Sequence, residues 1–195
     1  MVVKEVRSFI AIELSQDVKT ALFELQNSLK IPKYNFIKWV AYQGIHVTLK
    51  FLGNVEILKI NEIIESIKIG CMGQKPFKIE ISNLGVFPNY KKPSIIWIGI
   101  IDEFGELFKL QQKIEHELSL LGFTEEKRSF SPHITLARIG TSAMPQENIN
   151  YSTMLQRYSY DEKLHMLVNS VSFIKSQLLP SGAVYSKLAE LNLES

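Results

Sequence analysis

Cysteine is nearly absent: Cys71 is the only one in 195 residues. No internal disulfide can form, and a reducing compartment is the natural setting. Cys71 follows Ile69-Gly70 at an expected helix end, with no activating base beside it, so it reads as structural rather than nucleophilic. There is no Gly-rich phosphate loop of the Walker type and no Gly-x-Ser-x-Gly elbow, which leaves nucleoside-triphosphate hydrolysis and serine nucleophile chemistry without a motif. No apolar run approaches the roughly 20 residues of a membrane span. Met1–Arg7 is too charged and too poor in small residues for a signal peptide. The expectation is a cytoplasmic protein with no membrane partner. Pro/Gly/Ser linkers, low-complexity tracts and long charge runs are also missing, so residues 1–195 are expected to form a single domain. A strong excess of one charge is lacking too: 22 Lys and Arg stand against 20 Asp and Glu, a net +2. That balance does not announce nucleic-acid binding, although an average can hide a local basic face.

What is present suits a packed globular chain, with 46% hydrophobic and 22% charged residues. Val6–Leu14 reads as a strand. Ser15 can cap a helix whose Val18, Ala21, Leu22, Leu25 and Leu29 recur at helical spacing to about Lys30, before Pro32. Phe36–Ala41 and Ile45–Leu52 follow as strands, the first ended by a Gln43-Gly44 turn and the second closed by Gly53-Asn54. A helix carries Leu58, Ile63, Ile64 and Ile67, with Gly70 as its stop. Phe77–Val86 and Ser94–Ile101 are strands. Glu103–Leu121 is the clearest helix, with Phe104, Leu107, Leu110, Ile114, Leu118 and Leu121 on one face and Gly122 at its end. Phe130–Ile139 is a strand, Gln146–Arg157 a helix, and His165–Ile174 and Ala183–Leu191 are closing strands. This order is neither regular alternation nor all-β; it is α+β with mainly antiparallel sheet.

One pattern occurs twice. Ile45-His46-Val47-Thr48-Leu49 and Pro132-His133-Ile134-Thr135-Leu136 share His, a β-branched residue, Thr and Leu, with the histidines 87 residues apart. A doubled motif at that distance points to two related halves placing the same device twice. Side chains alternate along a strand, so His46 and Thr48 face one way, as do His133 and Thr135. Two imidazoles can move two protons in one phosphodiester cleavage, one taking a proton from water and one giving a proton to the leaving oxygen. Threonine hydroxyls can hold the non-bridging oxygens where charge builds.

A single His-x-Thr is ordinary half-buried strand chemistry, since threonine suits strands. Its repetition, among only four histidines, favours function. His116, in Glu115-His116-Glu117, lies off its helix's apolar stripe and reads as a solvated surface residue, and His165, with no threonine two residues on, reads as structural. Catalytic zinc usually takes three protein ligands, and neither motif has Asp, Glu or Cys at ligand spacing. Neither a metal nor another cofactor is expected.

With these residues in place, the sequence resembles the 2H phosphoesterase superfamily. Within it, the chain is most similar to the RNA 2′,3′-cyclic phosphodiesterases, also called 2′-5′ RNA ligases, of bacteria and archaea. The resemblance covers nearly the whole chain: Arg7-Ser8-Phe9-Ile10-Ala11, Trp39-Val40, His46–Gly53, Gly85-Val86-Phe87-Pro88, Ile96–Gly99, Phe130–Arg138, Ser176-Gln177-Leu178 and Gly182–Tyr185. It implies two pseudo-twofold-related lobes, with antiparallel sheets facing a central cleft, helices outside and the chain crossing between lobes. It implies metal-independent opening of a terminal 2′,3′-cyclic phosphate on RNA to a 2′-phosphate, with joining of tRNA halves in the reverse sense. His46 would be the general acid, His133 the general base, and Thr48 and Thr135 the phosphate holders.

Phe9 and Tyr185 are candidates to line the cleft or stack a base, or else two core aromatics. Lys50 shares the parity of His46 and Thr48 and could attract RNA. Arg138 matches the signature and could meet phosphate, yet strict alternation turns it to the other face unless the strand bends near Ala137. The expected partner is RNA with a cyclic phosphate end, and the expected form a monomer. Two other readings stay open: a phosphodiesterase for other cyclic or 2′-5′-linked nucleotides, its choice set by loops Pro88–Pro93 and Thr141–Asn150, and a non-catalytic RNA-binding module.

Overall fold

The structure is a computed structural model and describes residues 4–140, 144–179 and 182–194. Met1, Val2 and Val3 of the N-terminal segment, and Thr141, Ser142 and Ala143 of the loop expected at Thr141–Asn150, lie outside the described residues.

The chain runs β1 (Glu5–Glu13), α1 (Gln16–Leu29), β2 (Ile37–Trp39), β3 (His46–Glu56), α2 (Ile60–Cys71), β4 (Phe77–Phe87), β5 (Ile95–Ile101), α3 (Glu106–Leu120), β6 (His133–Ile139), α4 (Pro145–Arg157), β7 (Leu164–Val168), β8 (Ser170–Leu179) and β9 (Gly182–Asn192). Among the described residues, nine strands form one sheet in the order β7-β4-β5-β6-β3-β1-β8-β9, with β2 paired to β6. All these pairings are antiparallel. The expected α+β class is what the chain adopts. Two four-strand halves meet at the centre, where β3 and β6, the histidine strands, touch through one pair, Val47 opposite Ile134. One residue, Asn169, separates β7 from β8, although these strands belong to different halves. Adjacent Cα atoms are about 3.8 Å apart, so the sheet must curl to bring those two strand ends together.

The helices cover one face of the sheet. Helix α1 leaves β1 and crosses to back the other half, where the Gln26 side chain donates to Leu136 O of β6 at 2.8 Å. Tyr151 of α4, wholly buried, donates to Leu29 O at 2.9 Å and ties α4 to α1. Helices α2 and α3 back the half containing β3. Ile10, Ile12, Val47, Ile96, Ile98 and Ile134 point toward the helices, and each is at most 1% exposed. Burying each such side chain contributes about 1.5–3 kcal/mol before entropy is counted.

Three boundaries differ from the sequence reading for identifiable reasons. Gly53 does not close its strand: with φ +71 it sits at a bulge, and β3 runs on to Glu56, opposite Glu5 of β1. Gly70 lies inside α2, where the absent side chain lets Ile114 of α3 approach; Gly73, with φ +67, follows the helix end instead. The expected strand His165–Ile174 is two strands, broken at Asn169 and placed in different halves of the sheet.

Gly70 gives a stability test. A Cβ there would stand 2.9 Å from Ile114 Cγ1 and 3.0 Å from Ile114 Cα, and the second contact is backbone that no rotamer change can relieve. Gly70→Ala gains about 1 kcal/mol of helix propensity, but overpacking costs about 1–3 kcal/mol. The expected result is a lower urea midpoint with an unchanged m-value; a raised midpoint would show that the helices slide apart at little cost.

Candidate active site

The single Val47–Ile134 pair decides what the two histidine strands show each other. Both side chains are 0% exposed and point into the core. One step to either side, His46, Thr48, His133 and Thr135 therefore lie on the opposite face, and all four are partly open to solvent. The antiparallel register sets His46 across from Thr135 and Thr48 across from His133. The two histidines become diagonal neighbours, a Cβ separation of about 7 Å.

Each ring is held the same way. His46 Nδ1 lies 2.7 Å from Gly44 O, and His133 Nδ1 lies 2.8 Å from Ser131 O. A carbonyl only accepts, so each Nδ1 carries a proton and each Nε2 is left for chemistry. Phe9 stacks on His46 at 4.7 Å and 25°, and Tyr185 meets it edge-on at 5.4 Å. On the other side Phe87 meets His133 edge-on at 5.0 Å, with Trp97 at 6.4 Å. Trp97 occupies the space a Gly85 side chain would fill, since a Cβ there would run into the indole. Burial pushes the His46 imidazole down to about 4; its bond to Gly44 O and the charge of Glu13 act the other way, while Lys19 and Arg138 add to the lowering. His46 in the free protein is therefore neutral at neutral pH.

An extra residue follows each threonine and reverses the parity beyond it. On β3, Ala11 opposes Thr48 but Ile10 opposes Lys50, leaving Leu49 over. On β6, Trp97 opposes Thr135 but Ile96 opposes Ala137, leaving Leu136 over. Such bulges re-aim the side chains that follow. Lys50 is corrected by this: it shares the face of Ile10, is 8% exposed, and is buried in an ion pair with Glu115 of α3, also donating to Thr124 O at 2.9 Å. It does not face the cleft. Arg138 is corrected in the opposite sense. It returns to the face of Thr135, is exposed, and its charge reaches His46. Phe51 likewise turns to the site face, 63% exposed and packed on Phe9 at 5.9 Å. Buried polar groups from the helices sit at both bulges. The wholly buried Gln26 donates to Leu136 O at 2.8 Å and Val40 O at 3.0 Å, and Glu115 receives Lys50.

Phe9 is only 2% exposed, so it backs His46 and is closed to a base, whereas Tyr185 is partly open beside it. His116 is an exposed helix residue and His165 an exposed residue on β7 opposite Glu80; neither joins the site. Cys71 is 4% exposed, and burial pushes its thiol up to about 11, which keeps it protonated. Sequence reasoning missed Phe51 and Lys19 altogether, and it did not connect Phe87 and Trp97 with His133. Among the described residues, no group of three His, Cys, Asp or Glu side chains could hold a metal ion, and no helix is long and apolar enough to cross a membrane.

The sequence matches the family described as LigT like Phosphoesterase twice, over residues 12–97 and 98–185. A relative from Methanothermobacter thermautotrophicus, named RNA 2′,3′-cyclic phosphodiesterase, is 30% identical over 190 residues, covering 97% of this chain and 100% of its own. A protein of the same name from Thermotoga maritima is 30% identical over 189 residues, 96% of each chain. A crystal structure from Thermus thermophilus superposes with TM-score 0.80 at 24% identity, covering 96% of this chain and 97% of the other. Escherichia coli LigT complexed with 3′-AMP gives 0.76 at 20% identity, covering 98% and 100%. These two structures share the fold.

Two measurements test the site's construction. Lys50→Ala leaves the largely buried Glu115 carboxylate without its cation and should cost about 3 kcal/mol of stability; a variant as stable as wild type would deny Lys50 its structural role. His46 in the folded protein sits near 4, against an ordinary 6.5 when unfolded. Between those values the unfolded chain binds a proton that the fold refuses. Its contribution should be complete above pH 6.5 and fade as pH falls toward 4. A stability–pH slope in that window that is unchanged by His46→Gln would place its source elsewhere.

Proposed function

The chain belongs to the LigT-like phosphoesterase family, and from that premise we propose that it opens the terminal 2′,3′-cyclic phosphate of RNA to a 2′-phosphate by two-histidine acid–base catalysis. One observation carries the mechanism: two imidazoles, each with Nδ1 bonded to a backbone carbonyl, and two threonine hydroxyls share one face of the sheet at the meeting of its halves. The relatives named RNA 2′,3′-cyclic phosphodiesterase supply the substrate class.

The cyclic phosphate lies between the rings, with its non-bridging oxygens toward Thr48, Thr135 and the Arg138 guanidinium. Water attacks phosphorus while His133 Nε2 takes its proton. The bond from phosphorus to O3′ breaks, and O3′ receives the proton carried on His46 Nε2. The products are a 2′-phosphate and a 3′-hydroxyl, and exchange with solvent resets the two rings. His46 is neutral in the free protein, so its acid form arises when the anionic phosphodiester arrives beside it and favours the imidazolium. In the reverse direction, a 2′-phosphate and a 3′-hydroxyl close the ring with the proton roles exchanged. Ligation differs, in that the 5′-hydroxyl of a second RNA takes the place of water.

In EDTA, an RNA ending in a 2′,3′-cyclic phosphate should yield the 2′-phosphate, identified against 2′- and 3′-phosphate standards. His46→Ala and His133→Ala should each lose about 10³-fold in rate while keeping the thermal midpoint within a few degrees. Exclusive 3′-phosphate, or a rate lost in EDTA and restored by zinc, would overturn the reading. The kcat/KM profile should be bell-shaped, with its acid limb near pH 4, where His46 titrates in the free protein. Arg138→Ala should move that limb upward, because the guanidinium charge helps hold the imidazole neutral.

A further inference from the structure

Beyond the Leu136 bulge, β2 lies along β6 with Lys38 directly opposite Arg138. Directly opposed residues share a face, so both cations stand on the face of His133 and Thr135, and both are exposed. Neither belongs to an ion pair with a described residue. Like charges directly opposed across strands are destabilising, and an anion held between them would remove that cost. With Leu136 bulged out, the pair lies two ladder steps past Thr135, as Ile95 lies two residues from Trp97 on β5, roughly 7 Å at the usual strand rise. Lys38 stands beside Arg138 on the neighbouring strand, one step further out from the threonines and beside a chain leaving the site along β6. The opposite side of Arg138 is apolar, since its β5 partner is Ile95, so the charge is concentrated toward β2.

We infer that Lys38 and Arg138 together form a subsite for the phosphodiester one nucleotide 5′ of the reacting end. The site thereby takes an RNA chain in preference to a mononucleotide. This rests on the cyclic-phosphodiesterase reading and adds to it the class of substrate: a polynucleotide with at least one internal phosphate. Arg138 serves both phosphates from between them, while Lys38 touches only the second. Without an internal phosphate in the substrate, Lys38 has nothing to bind.

The experiment compares a 2′,3′-cyclic mononucleotide with a trinucleotide that ends in the same cyclic nucleotide. The readout is the ratio of the two kcat/KM values, in wild type, Lys38→Ala and Lys38→Glu, with thermal midpoints recorded for each. The position is exposed, so the variants should fold. The expected ratio favours the trinucleotide in wild type, falls roughly threefold to tenfold in Lys38→Ala, and falls further in Lys38→Glu. Binding of a trinucleotide with a terminal 2′-phosphate should also lose about one unit of slope in log K against log salt in Lys38→Ala. A ratio and a salt slope equal to wild type in both variants would overturn the subsite. Absence of turnover by wild type would count against the catalytic reading instead. The binding comparison would then decide the subsite alone, and an unchanged salt slope would overturn it.

Discussion

Val47 and Ile134 form the one pair through which the two histidine strands touch, and the chemistry of the cleft follows from it. Two wholly buried β-branched side chains turned toward the helices oblige their neighbours to face the other way. A slip of one residue by either strand would send that strand's imidazole into the core and bring its apolar residues out. The burial that stabilises the centre of the sheet is thus the same force that holds two histidines and two threonines together. The flanking aromatics extend the arrangement: Phe9 and Tyr185 on one side, Phe87 and Trp97 on the other, so that each ring rests on its own half of the sheet.

The extra residue after each threonine divides the motif into two functions. Up to Thr48 and Thr135 the two strands are alike. Past Leu49 and Leu136 they show different things to the cleft: an aromatic ring at Phe51 and a guanidinium at Arg138. The pseudo-symmetry therefore sets a symmetric group of two histidines and two threonines among asymmetric neighbours. Both bulges have buried helix-borne polar groups at them, Gln26 at one and Glu115 with Lys50 at the other. Removing one partner of such a buried contact leaves an unsatisfied group that costs more than the contact contributes, so these residues keep the bulges where they are.

The α+β class, the doubled motif and the shared face of each His and Thr were legible in the sequence because they rest on a local period of two. The fates of Lys50 and Arg138 were not. Counting parity assumes an unbroken ladder, and neither Leu49 nor Leu136 announces that it will be left without a partner. Glycine misled for a related reason: Gly53 and Gly70 look like ends, yet one is needed for a left-handed bulge and the other for a helix contact. The break at Asn169 was hidden because β7 and β8 are both apolar enough to read as one strand; only the demand for partners on different halves separates them. Phe51 carries no local signal, since its turn to the site face comes from the bulged pairing of β3 with β1.

The pairing of β1 with β8 has a consequence for the order in which the protein is made. His46 is synthesised well before β6, but the half of the sheet that carries it stays open until β8 and β9 emerge. Its partner His133 lies in β6, whose neighbours β2, β3 and β5 are already available, as is β4 beside β5; of that half only the edge strand β7 comes later. On the ribosome the second histidine's half can assemble while the first histidine's half still presents the unpaired edge of β1. Tyr185, the ring that finishes the His46 pocket, lies in β9, the last of the described strands in chain order. A nascent chain therefore holds no complete His46 pocket until β9 has emerged.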